Sequence, residues 1–139
     1  MHDIRFIREQ PEAFDAGLAR RGLAPMAAAI LADDARHRDL LTRAQAGQAR
    51  RNEASRAIGA AKAAKDEATA AALMAEVATL KTELPALEGE ADALGNHLRD
   101  TLASLPNLPA ADVPDGADET ANVEVSRWGT PRTFDFTPR

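Results

Sequence analysis

The 139-residue chain has no cysteine, no tyrosine, one tryptophan and four phenylalanines. Without thiols there is neither a disulfide framework nor a thiolate metal site, and His2, His37 and His97 stand at no metal-ligand spacing, so no metal site is expected. So few rings exclude a large aromatic core. Long apolar runs are also missing: nothing approaches the roughly 20 residues of a membrane span. Asp3, Arg5, Arg8 and Glu9 occupy the place where a signal peptide would carry its apolar stretch. No membrane partner is expected, and a cytoplasmic location is the default. Proline is sparse where helices would lie, since five of the eight prolines come after Leu105.

What fills the chain instead is alanine, 32 residues of it, together with Leu, Glu, Arg and Lys. Alanine has the highest helix propensity, and the unbranched side chains lose little rotamer freedom in a helix. The expected class is mainly α and elongated. Net charge is −5, yet the signs are segregated. From Arg36 to Lys65 eight Lys/Arg face two acids, whereas from Asp66 to Leu105 eight acids face Lys81 and Arg99. The signs switch between Lys65 and Asp66.

Residues 3 to 21 predict a helical turn around Ile4 and Ile7, then a helix opened by Pro11 at its first position and stopped by Gly22, with Phe14 and Leu18 on its buried face. After Pro25 a long helix is expected from about Met26 to Ala64. A second starts at an Asp66 or Thr69 cap and runs to about Leu105, with Pro85 predicting a kink or a helix in two pieces. In the second helix Leu73, Val77, Leu80, Leu84, Leu87, Ala91, Leu94 and Leu98 recur at alternating steps of four and three, a heptad seam. The first helix carries a weaker seam at His37, Leu40, Ala44, Gly47, Arg51, Ala54, Ile58 and Ala61. Folding back at Lys65 and Asp66 sets Leu40 against Ala91, Ala44 against Leu87, Gly47 against Leu84, Ala54 against Val77 and Ile58 against Leu73, so large residues mostly meet small ones. The expectation is a long antiparallel two-helix coiled-coil hairpin with short N-terminal helices at its base. The same fold-back predicts ion pairs Arg43 with Glu90 and Arg50 with Glu83. Beyond it, Leu105-Pro106-Asn107-Leu108-Pro109 ends any helix and starts an extended connector. Alternation at 122–126 predicts a short strand, Trp128-Gly129 a turn, and 133–136 a segment that pairs back. The domains expected are an arm domain, 1–105, and a connector, 106–139.

Several stretches resemble bacterial seryl-tRNA synthetases: Asp3-Ile4-Arg5-Phe6-Ile7-Arg8-Glu9-Gln10-Pro11-Glu12, Arg51-Asn52-Glu53-Ala54-Ser55-Arg56-Ala57-Ile58-Gly59, and Leu105-Pro106-Asn107-Leu108-Pro109. Asn122-Val123-Glu124-Val125-Ser126-Arg127-Trp128-Gly129, followed by Pro131-Arg132 and Phe134-Asp135-Phe136, resembles the segment by which that family enters its catalytic domain. The resemblance implies a tRNA-binding arm, and a parent enzyme, a homodimer, that activates serine with ATP and magnesium and transfers it to serine tRNA. Selenocysteine tRNA is a further acceptor in organisms that have it. The class II catalytic part would follow Arg139, so the chain alone is expected to hold no catalytic residue and no cofactor. In this family the hairpin grips the elbow and long variable arm, which suits RNA helices that hide their base edges in a deep major groove.

Arg38, Arg56, Lys62 and Lys65 lack obvious cross-seam acids, with Glu53 or Glu76 as the acids that could share Arg56, and are the candidate RNA contacts, against the plainer role of solvated surface. Arg51, in the seam opposite Leu80, is expected to bury its stem and carry its head outward, as a structural or an RNA-binding residue. Trp128 could stack on a base, but with Phe134 and Phe136 beside it the favoured role is packing on a following domain. The rival from another class is an adaptor coiled coil that binds protein through its Leu-rich seam; such a rod needs no basic arm.

Overall fold

A computed structural model describes residues 2–116 and 118–137. Four helices follow one another: α1, Ile4–Glu9; α2, Pro11–Ala19; α3, Ala27–Ala63; and α4, Glu67–Ser104; a 3₁₀ turn, Glu119–Ala121, comes later. Each boundary has a local cause. Asp3 accepts a hydrogen bond from the Arg5 N–H at 2.9 Å and starts α1, and Pro11 occupies the first turn of α2, where its missing N–H would have had no partner. Gly22, at φ 72°, turns the chain out of α2 while the Leu23 N–H donates to the Leu18 carbonyl at 3.0 Å. The start of α3 has no local cap; Asp15 of α2 accepts from both the Met26 and Ala27 N–H groups, at 2.8 and 2.9 Å. At 37 residues α3 is about 55 Å long.

The tip is a tight reversal. The Lys65 N–H donates to the Lys62 carbonyl and the Asp66 N–H to the Ala61 carbonyl, at 3.1 and 2.9 Å, which closes the last turn of α3 with Lys65 in the left-handed region at φ 59°. Asp66 then caps α4, accepting from the Thr69 N–H at 3.0 Å and its hydroxyl at 2.7 Å. These bonds hold the Asp66 carboxyl below its ordinary pKa. The expected break at Pro85 is not found as a division: α4 runs through it from Glu67 to Ser104. A proline removes one backbone bond, and Leu84 beside it is buried in the seam, which holds both halves on α3.

The two arms pack by size. Ala44, Ala54, Ala61, Ala70 and Ala91 are buried, as are Leu40 and Leu84. A methyl group at Gly47 would stand 2.7 Å from Leu84 Cδ2, so Leu84 fills the space that the glycine leaves. This contact is the fold-back register expected from the seam. At the base, Ile7, Phe14, Leu18, Ala27, Ile30, Leu98 and Leu102 form one core, bringing α1 and α2 against both ends of the hairpin. Leu108 lies against Gly17, whose bare Cα leaves no room for a methyl (2.8 Å). Arg20 donates to Asp115 at 2.6 Å and to the Ala110 carbonyl at 3.1 Å, and Arg21 donates to the Asn107 carbonyl at 3.0 Å, so the first part of the connector is strapped along α2.

No strand forms among the described residues, contrary to the pairing expected for 122–126 and 133–136. The segment is extended but lies alone, with Val125 and Trp128 almost wholly exposed; a strand needs a ladder partner for its backbone groups. The expected turn survives as a bend at Gly129, φ 78°.

Candidate nucleic-acid interface

Charge on the arm is sorted by whether a cation has a carboxylate beside it. Nearest the base, buried Asp34 accepts from Arg8 through two bonds, at 2.8 and 2.6 Å, and pairs with Arg38 at 3.2 Å. The Arg8 guanidinium, helped by Arg38, holds the Asp34 carboxyl below its usual range despite burial. Stability carried by this cluster is therefore complete above the ordinary aspartate pKa of 3.8 and disappears as pH falls through the lower folded value. Asp34→Asn is expected to lose about 1 to 2 kcal/mol at neutral pH, because the Arg8 head retains access to water, and to flatten the fall in stability below about pH 4. Urea melts at pH 7 and 3 check it; a loss equal at both values would contradict the assignment.

The predicted cross-helix pairs are not the ones formed. Arg50 donates to Glu76 at 2.6 and 2.8 Å and also meets Glu53 at 3.1 Å, instead of Glu83. Glu90 lies 4.0 Å from Arg36, and Arg43 turns along its own helix to Asp39 at 3.7 Å. The reason lies in the period of the seam. Glu76, Glu83 and Glu90 recur every seven residues on one flank of α4, so an arginine opposite them has two candidates one heptad apart, and the seam alone does not choose. Arg50 takes the acid nearer the tip, whereas Arg36 has Glu90 alone, since the next position toward the base is His97. The Arg50 guanidinium is raised above its usual pKa by Glu76 and then Glu53, and Arg50 in turn lowers Glu76.

What remains is a set of cations with no acid in reach. Among the described residues Arg51, Arg56, Lys62, Lys65 and Lys81 have no carboxylate within 4.0 Å. Arg51 is half-buried, as the seam position predicts, and the other four are exposed. Arg38 is exposed too but shares Asp34. Lys81 did not stand out in the sequence, since it sits in the acidic arm; its folded-back position beside α3 is what puts it with the other cations.

Lys65 occupies a backbone conformation that glycine adopts freely and that costs an L-residue about 1 kcal/mol. Lys65→Gly is thus expected to raise stability by roughly that amount. Chemical denaturation of the two proteins measures it, and a destabilised variant would contradict the strain.

At the base, a cleft of about 480 Å³ lies between the start of α1 and the hairpin, lined by His2, Asp3, Asp34, His37 and Arg99 over Leu98 and Leu102. Its two acids are engaged, Asp34 by arginines and Asp3 as a helix cap. His97 stands 3.6 Å from Asp33 on the hairpin surface. No group of metal-type side chains converges among the described residues, and no helix there is long and apolar enough to cross a membrane.

Fold and charge together define a helical arm domain: a coiled-coil hairpin on a small helical base, with unpaired cations toward its tip. Residues 1–109 match the family described as seryl-tRNA synthetase N-terminal domain, and the chain belongs to that family. It is 63% identical over 139 residues to the serine–tRNA ligase of Novosphingobium aromaticivorans, covering 100% of this chain and 33% of that protein. With the serine–tRNA ligase of Sphingopyxis alaskensis it shares 66% identity over 138 residues, 99% of this chain and 32% of the relative. Among solved structures it resembles seryl-tRNA synthetase from Pyrococcus horikoshii complexed with ATP, at a TM-score of 0.79 and 30% identity, over 93% of this chain and 29% of the other. The chain thus spans about a third of the length of the curated relatives it matches.

Proposed function

We propose that this chain is the RNA-gripping arm of a serine–tRNA ligase, recognising the elbow and long variable arm of serine tRNA by shape and by contacts to phosphates. The observation that carries it is the cluster of unpaired cations on the outer half of the hairpin, Arg51, Arg56, Lys62, Lys65 and Lys81, in a protein of net charge −5. Lys65 adds to it: a positive charge is kept at a turn where glycine would be less strained. Arg38, shared with Asp34, is a lesser contact near the base. The adaptor alternative is weakened by the fold, because the Leu-rich seam it would offer is covered by α3. The parent enzyme would be a cytoplasmic homodimer that charges serine tRNA, and selenocysteine tRNA where present, using ATP and magnesium bound outside this chain. Residues 1–105 would be the arm domain and 106–139 the connector to the catalytic domain, on which Trp128, Phe134 and Phe136 would pack.

The test is a pair of anisotropy titrations at fixed salt, with serine tRNA and with a version whose long variable arm is deleted. Tighter binding of the intact tRNA is expected; equal affinity removes shape recognition. Catalysis would belong elsewhere in the parent: the two acids of the cleft at the base are already engaged, Asp34 by arginines and Asp3 as a helix cap. Purified chain should show no serine-dependent ATP–pyrophosphate exchange, and any such exchange would overturn that assignment.

A further inference from the structure

The two flanks of the arm differ in how their charges are used. On one flank Arg50 bonds Glu76 and Glu53, and Arg36 approaches Glu90. On the other flank the cross-helix contact is between Gln48 and Glu88. Stepping by sevens keeps a residue on its flank of a coiled coil. From Gln48 the steps toward the tip reach Ser55 and Lys62, and from Glu88 they reach Lys81, Met74 and Glu67. Arg51 precedes Ser55 by four residues, about 40° around the helix, so its seam position opens toward this same flank. Between Glu88 and the first turn of α4, where Glu67 lies, this side holds no acid; its remaining positions are Gln45, Asn52, Gly59, Ala71, Ala78 and Pro85. Apart from Asp66 and Glu67 at the tip, the acids of the outer arm, Glu53, Glu76 and Glu83, all fall on the Arg50 side.

We infer that only one side of the arm faces RNA: the side with Arg51, Lys62 and Lys81, with Met74 between the two lysines. This rests on the arm binding RNA at all. Lys62 and Lys81 are exposed and, by the fold-back register, lie roughly 18 Å apart along the rod, a span of several phosphates. Met74, 50% exposed, is the apolar group between them, placed to lie against a ribose or an unstacked base. Along the outer arm the opposite side has one arginine, Arg50, already held by two carboxylates, among Glu53, Glu76 and Glu83; it repels a phosphate chain. Arg56, on the outer crest of α3, borders both sides.

The test uses the full chain and a fluorescein-labelled serine tRNA with its long variable arm. Lys62→Gln with Lys81→Gln, which removes both charges and leaves polar side chains in their place, is expected to weaken binding about 10-fold or more at 0.1 M salt, whereas Arg50→Gln leaves it within about twofold. A photocrosslinking side chain at Ser55 should capture the RNA, and one at Thr79, exposed on the other side, should not. Circular dichroism establishes that each variant keeps its helices. If Arg50→Gln costs as much as the lysine pair, or if Thr79 crosslinks and Ser55 does not, the one-sided assignment is wrong while RNA binding stands. Failure of the unaltered chain to bind the tRNA overturns both.

Discussion

Phe14→Ala is expected to cost about 3 to 5 kcal/mol, the largest loss from any single truncation in this chain. Phe14 has no exposed surface, its ring stands nearly perpendicular to that of His2 with 5.3 Å between centroids, and it lies in the core that joins α1 and α2 to the base ends of both long helices. A domain of this size has about 5 to 15 kcal/mol in total, so roughly a fifth or more of its stability would go. The melting temperature should fall by roughly 10 to 20 °C. The rest of the hairpin offers no compensation, because its layers are mostly alanine against one larger side chain and bury little area each. Leu41→Ala, at a residue 40% exposed on the arm, serves as the control and should change stability by less than about 1 kcal/mol. Thermal melts followed by circular dichroism separate the two. Hydrogen exchange should show Phe14→Ala loosening the amides near Ile30 and Leu98 before those of the mid-arm; equal losses for the two variants would mean that the base is not what holds the hairpin closed.

Removing Arg56, Lys62 and Lys65 together to alanine is expected to reduce tRNA affinity on the order of 100-fold at 0.15 M salt and to lower the slope of log affinity against log salt by about two to three units. Both numbers follow from one cause. Each cation on a phosphate releases a counterion, so deleting three contacts lowers the affinity and its salt dependence in proportion. Fold stability should hardly move, since all three side chains are exposed and have no acid within 4.0 Å, and alanine at position 65 keeps the Cβ and with it the same backbone strain that lysine carries. Arg43→Ala should differ, leaving affinity nearly intact, because its charge faces Asp39 nearer the base. A titration series from low to high salt is the measurement. An unchanged slope in the triple variant would remove the tip as the binding site, whatever the fall in affinity.

Much of the fold was legible in the order of residues. Alanine and the three-four rhythm of leucines determine two long helices, the change of sign at Lys65 and Asp66 marks the reversal, and pairing large with small gives the register that Gly47 and Leu84 obey. Pro11, Gly22 and Asp66 act within a turn of themselves, so they end or begin helices wherever the chain goes. The resemblance carried by short motifs along the chain led to the family to which it belongs.

Other features needed the folded chain. Which acid an arginine takes depends on side chains that choose between equivalent positions one heptad apart, and Arg50 chose Glu76 where Glu83 was expected. Asp15 caps a helix that begins twelve residues later, and Asp34 is buried between Arg8 and Arg38, because α1 and α2 fold against the base. Nothing local signals such contacts. The strand expected at 122–126 is absent for the converse reason: alternation marks a segment able to pair, and only a neighbouring strand makes it one. Lys81 is the plainest case. In sequence it is a lone cation in an acidic helix, and only the antiparallel return of α4 along α3 puts it on the flank of Lys62.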